Sequence, residues 1–387
     1  MNIDPTQFED IRPFTDAEVP QAIESLIANQ ACEQAFRYVK PDIDWGTFAH
    51  LMRSFKTIKD FKERMAYNIV ADIARSSAFS LTISGRSRLP EGHVPCTFIS
   101  NHRDIVLDAA FLNVTLYDVG YGMTQIAIGD NLLISSWIET LVKLNNSFIV
   151  KRSVSGRQQL QASLNLSSYI HYTITQVRES VWIAQREGRA KDSDDKTQSS
   201  ILKMLNMGGD ADIVTNLMAL NIVPVAISYE QDPCDFLKAK EFQQKRDCPD
   251  FIKSKRDDLL NMETGILGNK KRVHFTICSP INPQLQLLDR TLDRNELYNR
   301  IAQIIDTEIY KHYRFYPCNY IAHDLLNNSG RFALNYGPND KQQFATYVQT
   351  QLDKIVIPNK DEDYLRARLL EMYANPLRNH LLAQNIQ

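Results

Sequence analysis

Between residue 77 and about residue 280 the chain carries seven short runs rich in β-branched and aromatic residues, at 79–83, 96–100, 125–128, 147–150, 181–184, 222–228 and 272–278. Helical stretches separate them: 105–116, 132–144, 157–177 and 211–220 repeat apolar residues every three or four positions. Strands joined by crossovers of that length can pair in parallel, and a parallel sheet needs cover on both faces. The expected fold class is therefore α/β, a mostly parallel sheet covered by helices. On both flanks the period turns helical. That divides the chain into an N-terminal helical region (1–76), an α/β domain (77–283) and a C-terminal helical extension (284–387).

In the N-terminal region Thr15 and Glu18 form a candidate capping box ahead of Val19, Ile23 and Leu26. Further on, Leu51, Phe55, Ile58, Phe61, Met65 and Ile69 share one helical face, with Arg53, Lys56, Lys59, Lys62 and Arg64 between them. Such an amphipathic basic helix either packs on the core with a solvated lysine face or lies on a membrane surface. In the extension, Asn327-Asn328-Ser329-Gly330 and Tyr336-Gly337-Pro338 break the helical pattern.

The net charge of −2 excludes whole-protein attraction to nucleic acid, so any basic site must be local. One run offers it: Lys238, Lys240, Lys245, Arg246, Lys253, Lys255 and Arg256. No apolar stretch approaches the roughly eighteen residues of a membrane span, and residues 1–14 are acidic where a leader would be basic and then apolar. The expected location is cytoplasmic. The six cysteines are scattered, so reduced thiols are expected rather than disulfides or a metal knuckle. His171, His274, His312 and His323 have no partners at metal-ligand spacing, and neither a G-x-S-x-G elbow nor a P-loop occurs. No metal, serine nucleophile or cofactor is expected.

The strongest chemical signal is Phe98-Ile99-Ser100-Asn101-His102-Arg103-Asp104-Ile105-Val106-Leu107-Asp108, an apolar strand that delivers a histidine and two carboxylates into the turn before a helix. Sites in open α/β sheets gather beyond the carboxyl ends of strands, and a histidine oriented by a carboxylate takes a proton from a hydroxyl at neutral pH. His102 is the candidate general base, with Asp108 or Asp104 as its orienter. The competing role for those acids is to cap the helix and answer its dipole. Four more segments follow: Gly129-Asp130-Asn131-Leu132, Asn146 to Arg152, Arg186-Glu187-Gly188-Arg189, and Ile222 to Glu230.

Taken together, the order, content and approximate spacing of these segments resemble the four conserved blocks of the glycerolipid acyltransferases, in particular the bacterial glycerol-3-phosphate and 1-acylglycerol-3-phosphate acyltransferases, over about residues 78–282. The resemblance implies that His102 activates an acceptor hydroxyl toward a fatty acyl thioester. It further implies that Lys151, Arg152, Glu187, Gly188 and Arg189 bind the substrate, the arginines gripping phosphate through their paired donors. In the family four residues separate the histidine from its aspartate, whereas five lie between His102 and Asp108; the third block lacks one residue between Gly188 and Arg189. The Ile222 to Tyr229 segment resembles the family's Val-Pro-Val strand, which helps to form the acyl-chain pocket. Pro224, having no amide donor, is expected at an edge, a strand start or a bulge.

The activity so implied is transfer of an acyl group from acyl-coenzyme A or acyl-carrier protein to glycerol 3-phosphate or lysophosphatidate in phospholipid biosynthesis. Its partners would be that donor, a phosphorylated glycerol or lysolipid acceptor and an anionic membrane surface, with the protein peripheral on its cytoplasmic face and no nucleic acid involved. Two alternatives stay open: the same chemistry on another acceptor, such as an aminolipid hydroxyl, and a catalytically silent lipid-binding protein.

Overall fold

The computed structural model describes residues 5–41 and 43–384. The outermost parts of the two helical regions, residues 1–4 and 385–387, and Asp42 lie outside the described residues. Among the described residues, seven strands form one sheet: β1 (Ser80–Ser84), β2 (Thr97–Ser100), β3 (Gln125–Gly129), β4 (Ser147–Val150), β5 (Val181–Ala184), β6 (Ile222–Tyr229) and β7 (Arg272–Ile277). Each falls within a residue or two of an expected run. The spatial order is β1-β7-β6-β2-β5-β3-β4, and every neighbouring pair is parallel except β6 with β7. The α/β class with a mostly parallel sheet is therefore observed.

Pleating sends alternate residues to opposite faces, and both faces are covered. Ile99, Ile183, Ile222 and Ala226 pack with residues of the Arg157–Tyr172, Ser199–Asn206, Ile213–Met218 and Arg294–Lys311 helices. Phe98, Trp182, Val223, Val225 and Ile227 pack with the Leu107–Asp118 helix and the end of Tyr67–Ser77. The helix expected over 157–177 runs as α to Tyr172 and finishes as a π-type turn, Thr173–Val177. At the outer edge, the Ile149 amide of β4 donates to the Ile11 carbonyl (2.9 Å), so the N-terminal segment lies along that border.

Pro224 corrects the expectation for its strand. It sits inside β6, a central strand, opposite Ile99 of β2. The last β6–β7 pair is Val225 with Ile277, and the Pro224 carbonyl accepts from Cys278 (2.9 Å). In a strand, N and O of one residue face the same side, so the missing donor faces the point where the β7 ladder has ended.

The single basic helix expected from Leu51 to Ile69 is corrected: Trp45–Arg53 ends ahead of Phe55, and helix resumes at Ile58 behind the Thr57 capping box. Phe55, Phe61 and Met65 are nevertheless buried with Val19, Ile23, Leu26, Trp45 and Leu144 in one cluster, so these apolar side chains are covered by protein. Among the cations, Arg53 pairs with Glu24, Lys59 with Glu63 and Arg64 with Asp60. No described helix is long and apolar enough to cross a membrane.

Two helices missed in the sequence, Asp235–Asp247 and Lys255–Leu267, lead from β6 to β7. In the expected helical extension, Pro317–Leu326, Pro338–Asp353 and Glu362–Ala383 form a separate apolar cluster that includes Ala239 of Asp235–Asp247. Two carboxyls, half-buried Asp306 and fully buried Asp235, are raised well above the ordinary carboxyl range. Asp306, on the Arg294–Lys311 helix, accepts from the Thr197 amide (2.8 Å) and hydroxyl (2.6 Å), both on Oδ1; burial, opposed by these bonds, raises it to about 7. Burial and neighbouring Asp232 raise Asp235 to about 6 despite the hydroxyls of Tyr373 and Tyr347.

A carboxyl whose folded pKa is raised keeps its proton after the unfolded chain, with an ordinary value of about 3.9, has lost it, so stability falls as pH rises through that window. Asp306→Asn keeps an acceptor for both Thr197 donors. In urea unfolding the variant is expected to match the parent near pH 4 and to exceed it in stability at pH 7.5; an unchanged difference between the two pH values contradicts the assignment.

Candidate active site

The chain leaves β2 between β5 and β6, at the carboxyl edge of the parallel strands. Asn101 fixes the exit. Its side-chain amide donates to the Ile227 carbonyl (2.9 Å) and its Oδ1 accepts from the Ile227 amide (2.8 Å), tying the end of β2 to β6. His102 follows, its ring edge-on to Trp182 at 5.9 Å, while the Trp182 indole donates to Ser100 (3.0 Å). The imidazole is 14% exposed.

The helix after the turn begins at Leu107, and Asp108 sits in its first turn, where the dipole favours a carboxylate. Asp108 is fully buried. Its Oδ2 accepts three hydrogen bonds, from His102 Nδ1 (2.8 Å), the Arg103 amide (2.6 Å) and the Asp104 amide (3.0 Å). The residue in excess of the family spacing is absorbed by the turn at Ile105 and Val106, ahead of the helix.

Of the two acids, Asp108 is therefore the one bonded to the ring. Asp104 has the other role, since its Oδ1 accepts from the amides of Val106 and Leu107, both at 2.8 Å, and caps the helix. Burial and the nearby Asp108 raise the Asp104 pKa, partly opposed by those amides and by Arg189.

Lys255–Leu267 closes over this turn. A Cβ on Gly265 would stand 2.1 Å from Asp104 Oδ2, so only glycine permits the approach. From the same helix Asn261 Oδ1 accepts from Arg189 Nη2 (3.0 Å). Arg189 thus belongs to the Asp104 side of the turn.

Arg152, at the end of β4, stands beside the ends of β3 and β5. A Cβ on Gly129 would come within 3.1 Å of its Nε, so the bare glycine makes room for the guanidinium. Asp130 accepts from the amides of Arg152 (3.0 Å) and Ser153 (3.2 Å), fixing the loop. Glu187, 67% exposed, lies 3.9 Å from Arg152 Nε. Gly188 has φ +67°. The structure brings Arg152 to Glu187 and His102 to Asp108. Arg189 is instead turned to Asn261, and Lys151 is ion-paired with Asp10 of the N-terminal segment.

Behind the turn lies a second layer that the sequence did not reveal. Arg103, next to His102, is buried with its Nη2 2.7 Å from buried Asp195. Burial would lower the Arg103 pKa, but Asp195 and further anions hold it above its ordinary value. Lys238, read from the sequence as surface, is buried, pairs with Asp232 and donates to the Arg103 carbonyl (3.0 Å). Half of the rest of the basic run is paired as well: Lys245 with Glu241, Arg246 with Asp247 and Asp361, and Lys253 with Asp258. The reading of Lys238 as a surface charge is therefore corrected, while Lys255 and Arg256 are exposed. A cavity of about 30 Å³ on this rear side is lined by Arg103, Ser228, Tyr229, Tyr313 and Tyr373; His102 does not line it. Burial, with Asp108 nearby, keeps the Tyr229 phenol well above its ordinary pKa.

Asn101 was within the motif and could have been identified from its place beside His102. Lys238 was hidden among other charges, and its neighbours Leu237 and Ala239 were the only hint that its turn faces inward.

No protein-family model matches the chain, and no curated protein matches it. Among solved structures, the 1-acyl-sn-glycerophosphate (LPA) acyltransferase PlsC from Thermotoga maritima is similar over 74% of this chain and 91% of its own, at 11% identity and a TM-score of 0.34.

Gly265→Ala is expected to displace Asp104 from the Val106 and Leu107 amides and to cost about 1–3 kcal/mol, the usual scale of overpacking. An unaltered urea midpoint contradicts this packing.

Proposed function

We propose that this protein is an acyltransferase in which His102 is the general base. The observation that carries the reading is the bond from His102 Nδ1 to fully buried Asp108 at the carboxyl edge of the sheet. A carboxylate that accepts at Nδ1 selects the tautomer with its proton there, which leaves Nε2 as the basic nitrogen. Asp108 is held by two backbone amides as well, so the ring's orientation is set before substrate arrives.

In the proposed reaction Nε2 takes the proton of an acceptor hydroxyl as its oxygen attacks the carbonyl carbon of an acyl thioester. The tetrahedral intermediate then expels the thiolate of coenzyme A or acyl-carrier protein, which receives the proton back from the imidazolium. No acyl-enzyme and no cofactor enter this scheme. Arg152 and, across the turn, Arg189 are the cations for an acceptor phosphate such as that of glycerol 3-phosphate or lysophosphatidate, presented at an anionic membrane surface.

One observation favours a second acceptor class. Exposed Glu187 stands beside Arg152 and offsets its charge, an arrangement that also suits a headgroup bearing an amine, such as an aminolipid hydroxyl.

The test is transfer of a labelled acyl group from coenzyme A or carrier-protein thioester to lysophosphatidate, glycerol 3-phosphate or a lyso-aminolipid, with lipid acceptors in anionic vesicles and in neutral micelles. His102→Ala and Asp108→Asn are expected to lose about 10²- to 10⁴-fold in kcat, the range for acid–base assistance. Arg152→Ala should raise KM for phosphorylated acceptors more than for an aminolipid. Full turnover by His102→Ala removes the mechanism, and vesicle binding with no thioester consumed by the parent protein favours a silent lipid-binding protein instead.

A further inference from the structure

Arg103, the residue that follows His102, is held at both of its backbone groups. Its amide donates to Asp108 Oδ2 at 2.6 Å, the same oxygen that accepts from the imidazole. The Arg103 carbonyl accepts from Lys238 Nζ at 3.0 Å. Lys238 comes from the Asp235–Asp247 helix, and its side chain is 1% exposed. Burying an ammonium is costly unless it is paired and hydrogen-bonded. Both conditions are met, by Asp232 and by the Arg103 carbonyl.

The Lys238–Asp232 pair is itself held by the C-terminal helices. The Asp232 amide donates to the Tyr373 hydroxyl (3.2 Å), and the Tyr347 hydroxyl lies 3.4 Å from the Asp232 carbonyl. Both tyrosines also donate to Asp235 Oδ2, at 2.6 and 2.7 Å, and Gln351 donates to the other oxygen. Tyr373 belongs to Glu362–Ala383; Tyr347 and Gln351 belong to Pro338–Asp353. A continuous set of hydrogen bonds therefore runs from the two helices through Asp232 and Lys238 to the backbone beside His102.

We propose that Lys238 is a positioning residue for His102, and that through it the C-terminal helices hold the imidazole on Asp108. This rests on the reading of His102 as the base. A plain core ion pair would need no bond to the Arg103 carbonyl. That bond opposes the pull of Asp108 on the other side of the turn and leaves the segment from His102 to Asp104 one backbone path.

The experiment follows the tautomer of His102 by imidazole nitrogen chemical shifts in protein carrying ¹⁵N-labelled histidine, beside steady-state transfer kinetics. Lys238→Met combined with Asp232→Asn removes both charges, so no lone ion is left buried, but deprives the Arg103 carbonyl of its donor. The Nδ1-protonated fraction of His102 is expected to fall, and kcat to fall about 10- to 100-fold, the scale of a misplaced reacting group, with KM changed less than about twofold. Tyr373→Phe keeps the packing and removes one hydroxyl from the relay; it should shift the tautomer the same way by less, and it decides the matter if the double variant does not fold.

A His102 signal unchanged in the folded double variant, or in Tyr373→Phe when that variant has to stand alone, overturns the positioning role even if the parent transfers acyl groups. A shifted signal in a protein that transfers from no thioester upholds the positioning role and removes the acyltransferase reading.

Discussion

A single oxygen, Asp108 Oδ2, organises the candidate site. It accepts from an imidazole and from two consecutive backbone amides, and it does so without solvent. Hydrogen bonds to an ionised acceptor are stronger than neutral ones, and a buried acceptor left without donors is costly. Turn, ring and helix start are therefore coupled: the helix can begin only where Asp108 reaches back to the amides of Arg103 and Asp104, and that reach brings the carboxylate to His102. Asp104 completes the arrangement by capping the same helix with its other bonds.

The α/β layer was legible because parallel strands buried on both faces leave continuous apolar runs, and all seven runs became strands of one sheet. The His102 turn was legible for a related reason, as a polar cluster at the end of an apolar strand. What the sequence could not settle was which acid orients the ring. Counting left Asp108 one residue off the family spacing and Asp104 further off, but residues outside the helix do not follow helical rotation, and the turn absorbed the difference.

Lys238 was misread because charge in sequence does not state whether a partner waits in space. It finds Asp232 and a carbonyl, whereas Lys245 and Lys253 find acids nearby in the chain and Arg246 also finds Asp361 on a distant segment. Pro224 was misplaced because the place where the β7 ladder ends is a property of pairing and leaves no mark on β6 alone.

The two buried pairs behind the turn, Arg103 with Asp195 and Lys238 with Asp232, weigh differently on stability and on geometry. Pairs of this kind often contribute little net stability compared with apolar residues of similar volume. The bond from Lys238 to the Arg103 carbonyl, however, is directional and costly to misalign, so it narrows the backbone conformations open to the segment between β2 and its helix. The small cavity beside them, lined by Arg103 and Asp232 as well as by Ile227 and Met372, gives this rear layer a different character from the apolar packing on either side of the sheet.

The contact of Ile149 with Ile11 has a consequence for behaviour in concentrated solution. An uncovered border strand is a template on which another molecule's backbone can add, and proteins survive by hiding such borders. Here the molecule shields β4 with its own early residues, so proteolytic trimming near Ile11 would unmask adhesive backbone on that flank while leaving the His102 turn, several strands away, chemically intact.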